Sequence, residues 1–570
     1  MSSLNEKAKS LILYYNDPNV YGYTRWNHSD DFGTGVKSIS YSFISSLPGY
    51  YARARTEEER LAWGDNDKII QALLDNPQSS ASLSQPQRDA TEKILDYLET
   101  VVAITFELKA NEIGNIAYGQ SSWTDIDPAT GKEEEAGGNT FILNYKSRPV
   151  GVNDWTLPLY SAEQAGADVW INKNVTHNQD NPWASGNQGY LTILHETCHA
   201  LGLSHPYDDI MSSDHDLRSS IMSRVPAKYS VLKEMPGHTL ENFNRILVFP
   251  STLMPLDIMA LQYIYGPNTT ATAGNDTYGK GGAGDWNWGA SPIMLKTIWD
   301  AGGDDDKIDC SDQTLKCVID LNAGHYSSIG IRETDAEKRL GLDFSNGETL
   351  PDDNDVYDGR NNLAIAYDYV SFDGETEIKV IIENAIGGSN NDVIIGNDAA
   401  NELTGGRGND TLEGGKDSDA YVFNAGDGQD TILDSGSRTD SRGEGDGQGK
   451  IKIGGLTLGV FSKTNGGAVW QSEAGAGITA QRDGNDLMIR YGNGDSITIK
   501  DWREGELGIT LSQQLALTES YQGDLWSRAD FDLSSLAGLE SAVPEGCSRF
   551  YTVCLQQAAR EGDRLALNLE

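Results

Sequence analysis

Downstream of Ser84-Gln85-Pro86 the apolar residues fall at helical spacing, with Ile94, Leu95, Leu98, Val101 and Val102 on one face. Around this predicted helix stand short runs rich in β-branched and aromatic residues: SISYSFI at 38–44, GNIAYGQ at 114–120, NTFILNY at 139–145 and ADVWIN at 167–172. They read as strands. Further helices are expected over about 189–203 and 256–264. Helix and strand alternate, which predicts an α/β or α+β domain. Past Gly449 the alternation has period two, notably DLMIRYGNGDSITIKDW at 486–502, whose Gly-Asn-Gly predicts a hairpin turn.

Between these regions the period changes to nine. Residues 387–449 hold 15 glycines in 63 positions, about twice the chain average. Read in nines from Gly387 the chain is GGSNNDVII, GNDAANELT, GGRGNDTLE and GGKDSDAYV, followed by FNAGDGQDTI. That period predicts a stacked β-solenoid, six residues turning and three forming a strand. The eighth position, Ile394, Leu403, Leu412 and Tyr421, is expected to point inward. Two repeats complete one coil, so the turns stack on alternate sides. Asp392 and Asp410 then share one row, joined by Asp427 or Asp430, while Asn401 and Asp419 share the other. A flexible acidic linker, the plain alternative, would lack the apolar eighth position.

Charge narrows the partners. The 570 residues carry 44 Lys+Arg and 85 Asp+Glu, a net charge of −41. Such an excess repels nucleic acid and anionic membranes and attracts divalent cations. No apolar run suits a membrane-spanning helix, and mean hydropathy is −0.47. Residues 1–20 have only a brief apolar stretch at 11–13, too short for a secretory core. Either the protein stays inside, or it leaves by a route that does not read the N-terminus. Five cysteines are sparse: Cys310 and Cys317 are seven apart, as are Cys547 and Cys554, and Cys198 stands alone. None has zinc-ribbon spacing; two local disulfides and unpaired thiols both remain open.

The densest chemistry lies at 195–205, HETCHALGLSH. His195 and His199 are four apart, so a helix puts both imidazoles on one face. Gly202 can end the helix and let the chain bring His205 back. Three imidazoles with an open position make a catalytic zinc site, and Glu196 is placed to act as general base. Cys198 points away from the histidine face and reads as packing.

This string resembles the metzincin zinc peptidases, and LGLSHP resembles their serralysin branch. Metzincins carry a Met-turn beneath the zinc, matched here by Ser220-Ile221-Met222-Ser223. Serralysins place a tyrosine two residues beyond that methionine; this chain has Arg224, a candidate oxyanion donor, and Tyr229 at another spacing. The nonapeptides resemble RTX calcium-binding repeats. The resemblance implies calcium ligands at Gly388, Asn390 and Asp392; Asn397, Ala399 and Asn401; Gly405, Arg407, Gly408 and Asp410; and Gly414, Lys416 and Asp419. IWDAGGDD at 298–305 resembles a serralysin calcium loop, implying Asp300, Gly302, Gly303 and Asp305, with Thr272, Gly274 and Asp276 as its partner loop. IIENAIGG at 381–388 resembles the entry to the roll, with Glu383 a ligand. The likeness covers about 39–434, roughly 70% of the chain.

The resulting expectation is an α+β metzincin-like catalytic domain followed by a parallel β-roll and a C-terminal β-rich module. The boundaries are a leader or pro-segment at 1–35, catalytic domain 36–266, calcium-binding roll 267–435, and C-terminal module with an export signal at 436–570. The resemblance implies a monomeric, secreted zinc endopeptidase stabilised by several calcium ions, acting on extracellular proteins and exported by a bacterial type I system. Substrate is expected to lie extended against Ala167–Asn172. The competing reading is a non-catalytic RTX adhesin or toxin carrying a relic peptidase domain.

Overall fold

A computed structural model describes residues 6–12, 38–48, 65–110, 112–123, 137–142, 167–175, 181–206, 216–228, 230–234, 245–339, 356–371, 374–434, 449–464 and 469–514, with Gly33, Tyr51 and two pairs at 125–126 and 133–134. Tyr229, Cys547 and Cys554 lie outside these residues, as does most of the expected leader. Its described stretch 6–12 is packed into the core: Leu11 and Ile12 are buried, and Leu11 O accepts from Ser204 N at 2.7 Å.

The N-terminal region is built on one sheet. Its strands are β1 (Ile39–Phe43), β2 (Phe106–Leu108), β3 (Ile116–Ser121), β4 (Gly138–Ile142) and β5 (Ala167–Asn172). Their order is β2-β1-β3-β5-β4, parallel except for β4, which runs antiparallel to β5. Among the described residues its longer helices are α1 (Asp65–Asp75), α2 (Gln85–Val101), α3 (Gln188–Ala200) and α4 (Pro255–Tyr265). The α2 stripe read from the sequence is its buried face: Ile94, Leu95, Leu98 and Val101 are at most 2% exposed. Gln87 Oε1 closes the first turn by accepting from Ser84 N at 2.7 Å. One expectation is corrected. β5 is hydrogen-bonded on both sides, so among the described residues the free edge beside α3 is β4, not Ala167–Asn172.

From residue 277 onward the chain winds into a roll. One face stacks β6 (Thr277–Gly279), β7 (Lys307–Asp309), β9 (Asn384–Ile386), β11 (Glu402–Thr404), β13 (Ala420–Phe423) and β15 (Lys450–Ile453), all parallel. The other stacks β8 (Lys316–Asp320), β10 (Val393–Ile395), β12 (Thr411–Glu413), β14 (Gln429–Ile432) and β17 (Asp495–Ile499), also parallel. β16 (Asp486–Tyr491) joins β17 antiparallel across Gly492–Gly494, the hairpin predicted from Gly-Asn-Gly. Ile394, Leu403, Leu412 and Tyr421 are 0% exposed, so the eighth position fills the roll as its period requires.

Roll and sheet share a core. Thr297 N donates to Thr252 Oγ1 at 2.8 Å, Trp299 Nε1 to Asn268 O at 3.1 Å, and Tyr326 Oη to Arg218 O at 3.0 Å. Among the described residues no helix is long and apolar enough to cross a membrane. Truncating the inward Leu412 to Ala should cost about 3 kcal/mol, because the stacked coils cannot collapse onto the void. Chemical denaturation in saturating calcium measures it; a loss under 1 kcal/mol would contradict the packing.

Candidate metal centres

Helix α3 is apolar on most sides, with Tyr190, Ile193, Leu194 and Cys198 buried, and its histidines stand half-buried on the remaining face. Gly202 ends it at φ +100°, a conformation open to glycine, and Leu203 N reaches back to Cys198 O at 3.0 Å. The Ser204–Leu11 bond then holds the chain as it turns to His205. One ring nitrogen from each of His195, His199 and His205 lies within 4.8 Å of the others. His195 Nε2 and His205 Nε2 are 3.1 Å apart.

The second nitrogens have defined partners. His195 Nδ1–H donates to Ile221 O at 2.9 Å and His199 Nδ1–H to Leu203 O at 2.8 Å. A carbonyl can only accept, so both rings keep their Nε2 lone pairs for a metal. Burial pushes all three imidazoles below their ordinary range, His205 to about 3, with the neighbouring rings adding to the effect at His199. Neutral imidazoles at contact distance are a donor set that fits zinc.

Glu196 is 7% exposed, and burial pushes its carboxyl up to about 7. Its Oε2 accepts from Thr140 Oγ1 at 2.7 Å, so the edge strand β4 orients the candidate base. Glycine is required opposite: a Cβ on Gly138 would stand 2.7 Å from Glu196 Cγ. Met222 is fully buried, next to the Ile221 whose carbonyl meets His195. Arg224 Nη2 donates to His205 Nδ1 at 3.3 Å.

Sequence reading missed Asp257. Its Oδ1 accepts from Ser220 Oγ at 2.6 Å, and its Oδ2 from Ile221 N at 2.8 Å and Met254 N at 3.0 Å. The same Ile221 presents its carbonyl to His195, so a carboxylate on α4 fixes an imidazole on α3. An acidic residue in the first turn of a helix is by itself no more than a capping signal, and only the tertiary contact reveals more.

The roll brings carboxylates into two rows. Asp392 N donates to Asp410 Oδ1 at 2.7 Å and Asp410 N to Asp430 Oδ1 at 2.9 Å. Across the roll, Asp276 N donates to Asp306 Oδ1 at 2.5 Å, Asp306 N to Glu383 Oε2 at 2.8 Å and Asn401 N to Asp419 Oδ1 at 2.9 Å. Asp306, Asp410 and Asp430 each keep a buried Oδ2 with no hydrogen-bond partner. Bare carboxylate oxygens of this kind suit a hard cation such as calcium.

Asp276, Asp300 and Asp306 converge within 4.8 Å. Asp305, expected in that group, turns instead to Asn384 Nδ2 at 2.7 Å. Asp306 immediately precedes a strand, as Asp392 and Asp410 do, and that position faces inward. Thr272 joins this loop through Ala301 N, Gly302 N donates to Asp300 Oδ1 at 3.0 Å, and Gly274 has no neighbour at its Cβ position. A Cβ on Gly303 would lie 2.3 Å from Asp306 Oδ2. Within the repeats, Gly388 N donates to Asp392 Oδ2 at 2.5 Å, Gly388 O accepts from Arg407 N, and Asn397 Oδ1 accepts from Ala399 N. Gly405 and Gly414 have no room for a Cβ beside Asp410 and Asp419, and Gly408 none beside Asn390 O. The Lys416 side chain points outward to Asp398.

The comparisons agree with this division. Residues 386–421 match the RTX calcium-binding nonapeptide repeat, in 4 copies. The chain is 27% identical over 300 residues to the metalloprotease AprA of Pseudomonas entomophila, covering 51% of this chain and 54% of that protein. It is 27% identical over 395 residues to a serralysin of Photorhabdus luminescens, covering 67% and 63%, and 31% identical over 232 residues to a serralysin of Proteus mirabilis, covering 38% and 37%. The match thus spans little more than half the length of the first relative. The chain is serralysin-like over these stretches and carries RTX repeats.

Two outcomes follow. Asp257→Ala should weaken zinc binding about 10- to 100-fold, because the carbonyl orienting His195 is released; competition with a chromophoric chelator reads it, and unchanged affinity would contradict the role. The second concerns pH. Burial raises Asp392 to about 6 and Asp410 to about 7, above their unfolded values. The folded roll then holds more protons than the unfolded chain, so without calcium its stability falls as pH rises from about 4 to 7. The roll therefore depends more on calcium as pH rises, so the calcium midpoint for folding should be higher at pH 7.5 than at pH 5, followed by circular dichroism. A midpoint that falls with pH would contradict these carboxylates as buried proton acceptors.

Proposed function

We propose that the chain is a secreted zinc endopeptidase of metzincin type, stabilised by calcium in its roll. The observation that carries this reading is the convergence of His195, His199 and His205, with Glu196 next to His195 on α3 and bonded to the edge strand β4. Zinc held by the three imidazoles would supply Lewis-acid activation of water and of the scissile carbonyl.

The remaining steps belong to the chain's own residues. An extended peptide adds to the β4 edge, antiparallel, with its backbone groups paired to the strand. Glu196, held by Thr140 and poised near neutral pH by burial, takes the proton of the attacking water and delivers it to the leaving amine. Met222 floors the imidazoles. Arg224 can only donate, so it bonds His205 Nδ1 only while that nitrogen lacks a proton. If His205 held the metal through Nε2, its Nδ1 would carry the proton, and the Arg224 guanidinium would be released to serve as an oxyanion donor.

The −41 charge gives the export reading its physics. At cytosolic calcium the acidic chain repels itself and stays extended, fit for one-step type I export; millimolar calcium outside neutralises the carboxylate rows and folds the roll. The described contacts from the roll to Thr252, Asn268 and Arg218 then steady the catalytic side. We read the protein as a monomer acting on extracellular protein substrates.

Casein cleavage by the refolded protein in millimolar calcium tests the activity. We expect fragments from the parent, none from Glu196→Ala, and kcat reduced about 100-fold in Arg224→Ala with little change in KM. A protein holding one zinc and a calcium-folded roll, yet silent on every unfolded substrate, would favour the relic adhesin or toxin.

A further inference from the structure

Two buried thiols occupy positions that glycine and aspartate hold in the repeats. The coil preceding the matched repeats runs from β7 through residues 310–315 to β8. Asp309 lies opposite Ile386, and Val318 opposite Val393. Cys310 is therefore in register with Gly387, the first residue of a repeat turn, and Cys317 with Asp392, the sixth. The hydrogen bonds agree. Cys310 N donates to Ile386 O at 2.7 Å as Gly387 N does to Thr404 O at 2.8 Å. Cys317 N donates to Asp392 Oδ1 at 2.7 Å as Asp392 N does to Asp410 Oδ1 at 2.7 Å.

In the repeat turns, positions one and six face each other at close range. A Cβ on Gly405 would stand 2.7 Å from Asp410 Cβ. The cysteine turn, 310–317, is two residues longer than 387–392, which gives its side chains more room. A cystine needs Cβ atoms about 3.5–4.5 Å apart. Both cysteines are thiols here, 0% exposed and in hydrogen-bond contact with each other.

We propose that Cys310 and Cys317 form a disulfide that closes this turn of the roll, where the later turns are closed by a cation. The bond would hold the Cys317 amide that donates to Asp392, and so prepare the first carboxylate of its row. The proposal rests on the extracellular reading, since a reducing cytosol keeps such thiols apart. The oxidant is a small-molecule disulfide such as oxidised glutathione. One cysteine thiolate attacks it and expels a glutathione thiolate; the other attacks the mixed disulfide and expels the second. Two protein thiols lose two protons and two electrons, and one small disulfide becomes two thiols. Burial and its partner hold the Cys310 thiol protonated in the closed roll, so exchange belongs to the open chain before calcium closes it.

The full chain is opened in chelator, treated with oxidised glutathione, folded with calcium and digested with trypsin. Cleavage after Lys307 and Lys316 puts the two cysteines in separate peptides, 308–316 and 317–332. We expect these peptides joined, and separated by reductant. The oxidised chain should fold at roughly half to one third of the calcium needed by the reduced parent or by Cys310→Ser/Cys317→Ser. Free alkylated thiols after this treatment, pairing with other cysteines, or equal calcium midpoints would overturn the proposal. Neither readout uses peptidase activity, so failure here is distinct from failure of the enzymatic reading.

Discussion

A backbone N–H handed from one coil to a carboxylate in the next is the interaction on which the roll depends. It recurs at Asp392 to Asp410, Asp410 to Asp430, Asp276 to Asp306 and Asn401 to Asp419. Each bond satisfies one carboxylate oxygen, and at Asp306, Asp410 and Asp430 it leaves the other buried and bare. A charge so placed is costly without a counter-ion. The roll is therefore a structure whose stability is linked to a cation. Glycine follows from the same constraint, since a Cβ at Gly387 or Gly396 would lie within 2.2 Å of a carbonyl in the neighbouring coil.

That dependence reaches the histidine cluster by contact. Roll segments donate to Thr252, Asn268 and Arg218, which flank α4 and the loop before Met222. From α4, Asp257 grips Ser220 and Ile221, and Ile221 orients His195. The chain from calcium-facing loop to imidazole is thus continuous in packed groups. It also explains why a carboxylate that touches no metal deserves to be counted with the site.

The histidine cluster itself combines two physical demands. Burial keeps the imidazoles neutral, which ligation needs, and raises Glu196 toward neutrality, which proton transfer needs. A peptidase site would also have to admit a polymer, and β4, the last strand of its sheet, would offer the edge; Gly138 lets that edge approach Glu196 closely enough for Thr140 to hold it.

Local pattern carried much of this into view. The helical spacing of His195 and His199, the α2 stripe, the nine-residue period with its inward Ile394, Leu403, Leu412 and Tyr421, and the Gly492–Gly494 turn are properties of near neighbours, and near neighbours are what a sequence displays. Three matters were decided by tertiary structure alone. Which strand has a free edge depends on the order in which strands assemble, so β4 rather than Ala167–Asn172 faces the site. Which of two adjacent aspartates enters a row depends on where the strand begins, so Asp306 turns in and Asp305 turns out. Which distant carboxylate supports a histidine depends on how two helices pack, and Asp257 sits 62 positions from His195. Spacing along the chain records the chemistry a segment can perform. Only the folded contacts choose the partner with which it performs it.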